Sequence, residues 1–305
     1  MRTLLAVGAI GEFVKQVQST LTKAGFDTKG ADGWYGNKTG AAAQAYQQAN
    51  GLQASGNIDD STWPALMQSA VPPVAQRSLQ LTSAFEGHGF ELAVGNFDGA
   101  LLTWGIIGFT LTAGEIQEIV QAINASNPQL LDQAFGTSKQ ELLQLMTASR
   151  DQQTAWANAH TLPNGSLVQS WRTMFAVFGS FPEVQAEQLR HVNQDYLIPA
   201  IATAKMLGFK SELGLALAFD IHVQDGGIKN TALNQIQQQS SPGMAESDLR
   251  VIVANAVADF ARPSFMDDVR KRKLTIATGQ GQVHGHNFVL ENWGLSGAFP
   301  ASELA

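Results

Sequence analysis

Helical hydrophobic spacing runs through this chain from residue 78 almost to its end. Apolar residues recur there every three or four positions, the spacing that places them on one face of a helix. Gly, Pro, Asn and Ser residues interrupt the pattern, as they do where helices end. The pattern predicts a mainly α-helical domain. The expected helices cover residues 78–86, 113–125, 127–134, 137–158, 165–179, 182–206, 210–224, 245–260 and 264–272.

Residues 90–104 differ from the rest of this region. They contain short apolar runs separated by turn residues, as a β-hairpin does. We therefore expect one small β element near the start of the helical domain.

The chain before residue 69 has its own helical pattern. Val14, Val17 and Leu21 mark an amphipathic helix over residues 12–24, and Gly25 ends it. A second helix is expected after Thr39, and a third after the polar run at 59–62. This pattern predicts a small three-helix domain, barely large enough to bury a core of its own.

Pro72 and Pro73 separate the two helical regions, because adjacent prolines cannot continue a helix and favour an extended spacer. The expected organisation is a small domain over residues 1–68, a linker over residues 69–77 and a large domain over residues 78–305.

The order of motifs in the small domain is more specific than its helical pattern. They closely resemble the peptidoglycan-binding domains attached to many wall hydrolases, over about residues 3–68. The resemblance implies that peptidoglycan is the partner, and that the apolar start of the chain is core rather than a signal peptide. The motifs are Gly8-x-x-Gly11-x-x-Val14-x-x-x-Gln18-x-x-Leu21, Asp32-Gly33-x-Tyr35-Gly36-x-x-Thr39, Tyr46-Gln47-x-x-x-Gly51-Leu52 and Gly56-x-Ile58-Asp59-x-x-Thr62-Trp63.

Aromatic side chains are the candidate ligand contacts of this domain. Trp34 lies in a glycine-flanked turn, where a side chain is usually accessible, and Tyr35 follows it. Both are candidates to contact a sugar or a peptide stem. Trp63 and Tyr46 are instead expected in the core.

Two carboxylates in unlike settings are the candidate catalytic groups of the large domain. Glu86 ends an expected helix beside Phe85, a position unfavourable for a carboxylate and suited to a raised pKa. Asp98 lies in the turn Phe97-Asp98-Gly99, where a carboxylate stays solvated and ionised. Glycoside hydrolysis uses such a pair, one carboxyl group as acid and the other as base, nucleophile or stabiliser.

The surrounding string resembles the active-site region of phage-type lysozymes, and still more closely that of the family 46 chitosanases. It reads Phe85-Glu86-Gly87, Phe97-Asp98-Gly99 and Thr103-x-Gly105-Ile106-Ile107-Gly108-Phe109. The resemblance implies a lysozyme-like fold, with Glu86 as general acid, Asp98 as second carboxylate and Thr103 holding the attacking water. Phe109 is a candidate cleft residue. The likeness spans about residues 78–290, with specific motifs only around 82–110.

Later parts of the chain resemble the same families less closely. The segment 218–227 is similar to a chitosanase segment, although Asp225 stands where a His is expected. Asp220 and Arg270 are candidates for an ion pair. His222, His284 and His286 lack acidic or cysteine neighbours, so structural roles are expected and neither a metal nor another cofactor is predicted.

Charge and composition exclude several other functions. The formal net charge is −7, and the acidic excess lies after residue 70, so no nucleic-acid-binding surface is indicated. The chain has no Cys and therefore no thiol nucleophile or disulfide. Stable membrane insertion is not expected, because no apolar run is long enough.

The combination of domains resembles phage endolysins that act on Gram-negative hosts. It implies a muramidase-type peptidoglycan hydrolase that causes host lysis, acts as a monomer, is made in the host cytoplasm without a signal peptide and reaches the periplasm after release. Truncation at the Pro72-Pro73 linker is then expected to keep catalysis on soluble fragments but to weaken action on whole walls. Two alternatives stay open. One is a chitosanase-like glycosidase of the same fold, since chitosan is cationic. The other is a non-catalytic wall-binding virion protein.

Overall fold

The structure, a computed structural model, describes residues 1–87 and 89–305 and is mainly helical, as predicted. The N-terminal module, residues 1–68, contains three helices and two short strands that pair antiparallel. Its elements are β1 (Thr3–Leu5), α1 (Glu12–Lys23), α2 (Asn37–Ala49), β2 (Ile58–Asp59) and α3 (Thr62–Met67). The three expected helices are therefore present, although α2 begins before Thr39 rather than after it.

The core of the N-terminal module contains the apolar face of α1, and Tyr46 and Trp63 are buried as predicted. Two buried glutamines fix its loops. Gln18 donates to the Asp32 carboxylate at 2.8 Å and accepts from the Gly33 N–H at 2.9 Å. Gln47 donates to the Asn57 carbonyl at 2.7 Å and accepts from the Gly56 N–H at 2.9 Å.

Helix α4 (Val74–Glu86) follows the two prolines directly and begins four residues earlier than expected. The Arg77 N–H donates to the Pro73 carbonyl at 3.2 Å. Both apolar and polar residues of α4 are buried, so this helix is central to the packing around it.

Residues 89–191 form three short strands and then six α-helices. The strands pair antiparallel in the order β3-β4-β5, which confirms the small β element, although β5 lies beyond the expected range. Trp104 stacks on Phe178 with ring centroids 5.4 Å apart. The elements are β3 (Ala93–Val94), β4 (Thr103–Trp104), β5 (Phe109–Thr110), α5 (Glu115–Ser126), α6 (Pro128–Phe135), α7 (Lys139–Thr147), α8 (Arg150–His160), α9 (Gln169–Ser180) and α10 (Pro182–His191).

A π-helical segment, Val192–Leu197, leads to the last part of the chain. Helix α12 has buried residues all round, which is typical of a helix inside a core. Strands β6 and β7 form a hairpin that packs on α15. The elements are α11 (Ile198–Leu207), α12 (Glu212–Asp225), α13 (Asn230–Gln239), α14 (Glu246–Asp259), α15 (Met266–Thr278), β6 (Gln280–Val283) and β7 (His286–Val289). Within the described residues, no helix is long and apolar enough to cross a membrane.

The chain forms two compact units. One comprises Met1–Phe85 with Tyr196–Ala305, and the other comprises Glu86–Asp195. The N-terminal module therefore belongs to the same unit as α4 and the C-terminal helices.

Backbone hydrogen bonds join the N-terminal module to the segment after β7. The Ala6 N–H donates to the Asn292 carbonyl at 3.3 Å, and the Asn292 side chain donates to the Val7 carbonyl at 3.0 Å. The Trp293 indole N–H donates to the Ile10 carbonyl at 3.3 Å.

A buried carboxylate adds a second connection between the module and the helices. Glu212, at the start of α12, is fully buried and forms ion pairs with Arg2 and Arg77. Arg2 and Arg77 both donate to the Gly294 carbonyl as well. Burial, and then the nearby Arg2 charge, lower the pKa of Arg77 to about 10. A buried network of this kind holds its members in one arrangement.

Asp220 and Arg270, the candidates for an ion pair, do not bind each other. Asp220 is fully buried and binds Arg272 and Lys273, each at 2.7 Å. Arg270 instead contacts Asp259 at 2.6 Å on the surface. The difference follows from helical geometry, since residues two positions apart on α15 point to different faces.

Candidate active site

Glu86 is the last residue of α4, as predicted, and is partly exposed. Gly87 follows with a φ of +65°, a left-handed conformation that glycine adopts readily and that ends the helix. The carboxylate therefore lies at the negative end of a helix whose preceding turns are buried. His88 lies outside the described residues.

Asp98 is exposed in the connection between β3 and β4, as its sequence context predicted. Its Oδ1 atom accepts the Ala100 N–H at 3.0 Å, the short local bond of an Asx turn. Gly99 has a φ of +91° and completes the turn. The turn leaves the carboxylate in contact with water.

The loop that carries Asp98 is braced by the loop after α8. The Asn96 N–H donates to the Thr161 hydroxyl at 2.8 Å, and the Gly95 N–H donates to the Gly165 carbonyl at 3.1 Å. Phe97 is nevertheless 64% exposed, next to the candidate carboxylate. The braced loop therefore presents this aromatic ring to solvent in an ordered position.

Thr103 is the first residue of β4 and pairs with Val94 of β3 and Thr110 of β5. The structure therefore places it on the same hairpin as Asp98. The residue is largely buried in the sheet. Its role in holding a water molecule stays a prediction.

Gln188 on α10 is a positioning residue that the sequence did not indicate. Its side chain is buried, accepts the Ile106 N–H at 2.9 Å and donates to the Phe90 carbonyl at 3.1 Å. It thereby ties the segment after Glu86 to the turn after Thr103. Gly105 has a φ of +92°, and a Cβ atom there would lie 2.6 Å from the Gln188 Oε1 atom. A lone glutamine in a helix carries no signal of this kind.

Phe109 is not a cleft residue, which corrects the expectation. Its side chain is 1% exposed, and its ring lies edge-on to His191 with centroids 6.2 Å apart. As a β5 residue paired with Trp104, it belongs to the core that supports the sheet.

The two aromatic candidates of the N-terminal module have different environments. Trp34 is 50% exposed, and Gln18 and Asp32 fix its turn by bonds to its backbone carbonyl and N–H. The Gln18 amide and the Trp34 N–H hold the pKa of Asp32 below its ordinary value. Tyr35 is fully buried, and its hydroxyl donates to the Gly56 carbonyl at 2.9 Å. Tyr35 is therefore a core residue and the expectation that it faces ligand is wrong.

His222 and His284 each contact a nearby polar side chain. His222 bonds to the Thr203 hydroxyl at 2.8 Å, and His284 to Asp268 at 2.8 Å. Among the residues that the structure describes, no group of three or more His, Cys, Asp or Glu side chains could hold a metal ion.

Comparison with known proteins gives two findings, a match to a family model and a similarity to solved structures. Residues 10–66 match the family model of a peptidoglycan binding domain, which supports peptidoglycan as the partner of the N-terminal module. This chain also resembles the family 46 chitosanases, which are glycoside hydrolases, and has a similar helical fold.

The individual structures are distant in sequence. A mutant chitosanase from Bacillus subtilis MY002, complexed with six glucosamine units, is 17% identical, with a TM-score of 0.53 over 71% of this chain and 98% of that one. The native enzyme is 18% identical, with a TM-score of 0.52 over 71% and 97%. A family 46 chitosanase from Gynuella sunshinyii, complexed with chitotetraose, is 18% identical, with a TM-score of 0.51 over 72% and 98%. At this identity the likeness shows the fold.

Proposed function

We propose that this protein is a muramidase-type peptidoglycan hydrolase that cuts glycan strands with Glu86 and Asp98. The observation that carries the proposal is the contrast between the two carboxylates. Glu86 ends a buried helix, whereas Asp98 lies in a solvated turn of the hairpin that follows this helix in the chain. Such a contrast suits one acid and one base in glycoside hydrolysis.

In the proposed reaction Glu86 donates its proton to the glycosidic oxygen while the bond from that oxygen to the anomeric carbon breaks. Asp98 accepts a proton from a water molecule that attacks the anomeric carbon, and Thr103 orients that water. Asp98 then releases its proton to solvent and Glu86 takes one up, which restores both groups. General acid and base catalysis of this kind contributes about 10²–10⁴-fold each to the rate.

The stereochemical outcome follows from the role given to Asp98. If Asp98 activates water rather than forming a covalent intermediate, the anomeric configuration is inverted. Proton NMR of the first-formed product should therefore show the inverted anomer. A retained anomer would assign Asp98 the role of nucleophile.

Peptidoglycan is the proposed substrate because the N-terminal module matches a peptidoglycan binding domain. Phe97 supports a sugar substrate independently, since an exposed aromatic ring beside a catalytic carboxylate can stack on the apolar face of a pyranose. We propose Trp34 as the wall contact of the module. We further propose that the protein is an endolysin. It would be a monomer that is made in the host cytoplasm and acts in the periplasm after release.

Chitosan hydrolysis is the second candidate function. The fold is that of enzymes whose structures contain glucosamine oligomers, and the acidic excess of the chain is compatible with a cationic polymer. The peptidoglycan-binding match favours the wall substrate. A non-catalytic wall-binding protein would not need both carboxylates in this arrangement.

Mass spectrometry of fragments released from purified peptidoglycan tests the proposal. New muramic acid reducing ends are expected from the wild type. Glu86→Gln should lose this activity while still binding sacculi, and Glu183→Gln, on the exposed first turn of α10, should retain it. If the glycan stays uncut while chitosan is cleaved in a parallel reaction, the proposed substrate is wrong. If neither polymer is cleaved, the proposed enzymatic activity is wrong.

A further inference from the structure

We propose that the N-terminal module and the β6–β7 hairpin together form one accessory site for the glycan strand. We call it the Trp34–hairpin site, and it consists of Trp34 with Gln282, His284, His286 and Asn287. The inference rests on the proposed function, because it assigns the site to the strand that is cut. In a tethered anchor the N-terminal module would bind the wall alone. In the proposed site the module and the β6–β7 hairpin bind the same glycan strand.

The contact between Trp34 and His286 is the observation that joins the two parts. Their ring centroids lie 6.3 Å apart with the planes at 68°, an edge-to-face arrangement. Both residues are exposed, so the paired rings face solvent. Trp34 is also fixed by its braced turn, and the site is therefore largely formed before a ligand binds.

The hairpin is anchored on one side and polar on the other. Val283 and Phe288 are buried, and Phe288 packs on Phe85 with ring centroids 4.7 Å apart. Gln282 and Asn287 pair across the hairpin and are exposed. Exposed amide side chains offer hydrogen-bond donors and acceptors to hydroxyl and acetamido groups.

The turn of the hairpin reaches the end of α4. His284, with a φ of +49°, contacts the Phe85 carbonyl at 3.1 Å through Nδ1, and Asp268 at 2.8 Å through Nε2. Glu86 is the next residue in the chain after Phe85. The turn of the hairpin therefore contacts the last turn of α4 through His284.

The module cannot move independently of the hairpin without breaking several contacts. Trp293 bonds to Ile10 of the module and stacks on Phe288 of the hairpin, with ring centroids 5.2 Å apart. The ion pair between Arg2 and the buried Glu212 adds a second attachment. Trp34 is thus held in a fixed position relative to the hairpin.

The composition of the site selects the class of ligand. Residues 280–290 contain no Asp, Glu, Lys or Arg. The two carboxylates that touch the site, Asp268 and Asp32, are already bound to His284 and to the Trp34 N–H. A cationic glucosamine polymer would be bound best by carboxylates, whereas aromatic rings with neutral amides suit N-acetylated sugars. The Trp34–hairpin site is therefore a site for the N-acetylated glycan strand.

Binding of peptide-free glycan strands to the full-length Glu86→Gln protein tests the site. The probes are a tetrasaccharide of alternating N-acetylglucosamine and N-acetylmuramic acid and a long strand of the same repeat, both measured by calorimetry. The long strand should bind on the order of tenfold more tightly, the ratio that about 1.4 kcal/mol gives. Adding Trp34→Ala or His286→Ala should each remove this gain and leave tetrasaccharide binding unchanged. Phe265→Ala, a matched change at another exposed aromatic residue, should have no effect.

Several outcomes would overturn the joint site. Equal affinity for both probes would show that no accessory site contacts the strand. If Trp34→Ala removes the tighter binding of the long strand but His286→Ala does not, the N-terminal module binds the strand without the hairpin. Failure of the proposed function is distinguished by a separate measurement. In that case the wild-type protein would not cut the glycan, whatever affinities the two probes have.

Discussion

Gln188 is the residue on which the geometry of the candidate active site depends most directly. It satisfies the Ile106 N–H and the Phe90 carbonyl, both in segments that flank the candidate catalytic residues. Gln188→Ala should therefore lower the free energy of unfolding by about 2–4 kcal/mol, because it opens a cavity and leaves two buried polar groups unpaired. Chemical denaturation measures this loss.

The same substitution should lower kcat more than it changes KM, since Gln188 positions the segments rather than contacting substrate. Gln121→Ala, on the exposed face of α5, is the control and should change neither stability nor activity. Wild-type stability in Gln188→Ala would contradict the positioning role.

Phe97 is expected to act on substrate binding and not on the fold. Phe97→Ala removes a ring that is 64% exposed, so thermal stability should change little. Loss of stacking on a sugar should raise KM several-fold with a smaller effect on kcat. Steady-state kinetics on soluble glycan strands checks this. Phe97→Tyr should restore the KM, and an unchanged KM in the alanine variant would remove Phe97 from the binding site.

The sequence located the candidate carboxylates better than it located the aromatic contacts. Helix periodicity and a turn motif are local properties, so the end of a helix at Glu86 and a turn at Asp98 could be read directly. Burial depends on distant parts of the chain. Tyr35 and Phe109 therefore could not be distinguished from exposed aromatics until the packing was known.

At the level of elements, Asp220 joins α12 to α15 and to α4. Its carboxylate binds Arg272 and Lys273 and accepts the Thr82 hydroxyl at 2.9 Å. Asp220→Asn should cost about 3–5 kcal/mol, because it leaves buried cations with less compensating charge. Asp259→Asn, which breaks the exposed pair with Arg270, should cost no more than about 1 kcal/mol. Equal losses in the two variants would contradict this account.

The same cluster predicts a dependence of stability on pH. Burial opposes the charged form of Asp220, yet Arg272 and Lys273 outweigh it and hold its pKa well below the usual range. A lowered folded-state pKa gives stability that is present above the unfolded value of about 3.9 and is lost as pH falls through the folded value. Denaturation between pH 5 and pH 2, as an approximate working range, should show a steeper loss for the wild type than for Asp220→Asn. If stability falls equally with pH in the wild type and in Asp220→Asn, Asp220 is not the source of the pH dependence.

Several elements had too little periodic signal to be predicted. Helix α13 is mostly polar, with Ala232 and Ile236 as its buried residues, and the β6–β7 hairpin buries Val283 and Phe288. Two expected long helices are divided instead. The Ser149 capping box starts α8 after a break at Ala148, and a π-helical segment separates α10 from α11. Such breaks depend on local hydrogen bonds that hydrophobic spacing does not show.

On the scale of the whole molecule, the N-terminal module is built into the unit that contains α4. Leu4 packs against Gly294, where a Cβ atom would lie 3.1 Å from the Leu4 Cα atom. Arg77, within the expected linker, is buried and bound to Glu212. The expectation that catalysis on soluble fragments survives removal of the module assumed an extended spacer. The contacts of Leu4 and Arg77 instead favour a loss of stability when the module is removed.

Removal of residues 1–68 should therefore destabilise the remaining chain. The truncation takes Arg2 from the buried Glu212 and exposes Trp293, which loses its bond to the Ile10 carbonyl. The loss of a charged hydrogen bond and of buried apolar area should amount to several kcal/mol, and Tm should fall by at least about 5 °C. Activity on soluble strands should fall with it. Arg2→Ala in the full chain should reproduce part of the loss, while Lys29→Ala on the exposed surface of the module should not. An unchanged Tm with full activity on soluble strands would mean that the module is a separable anchor, and the glycan strand would then have to be captured and cut by independent sites.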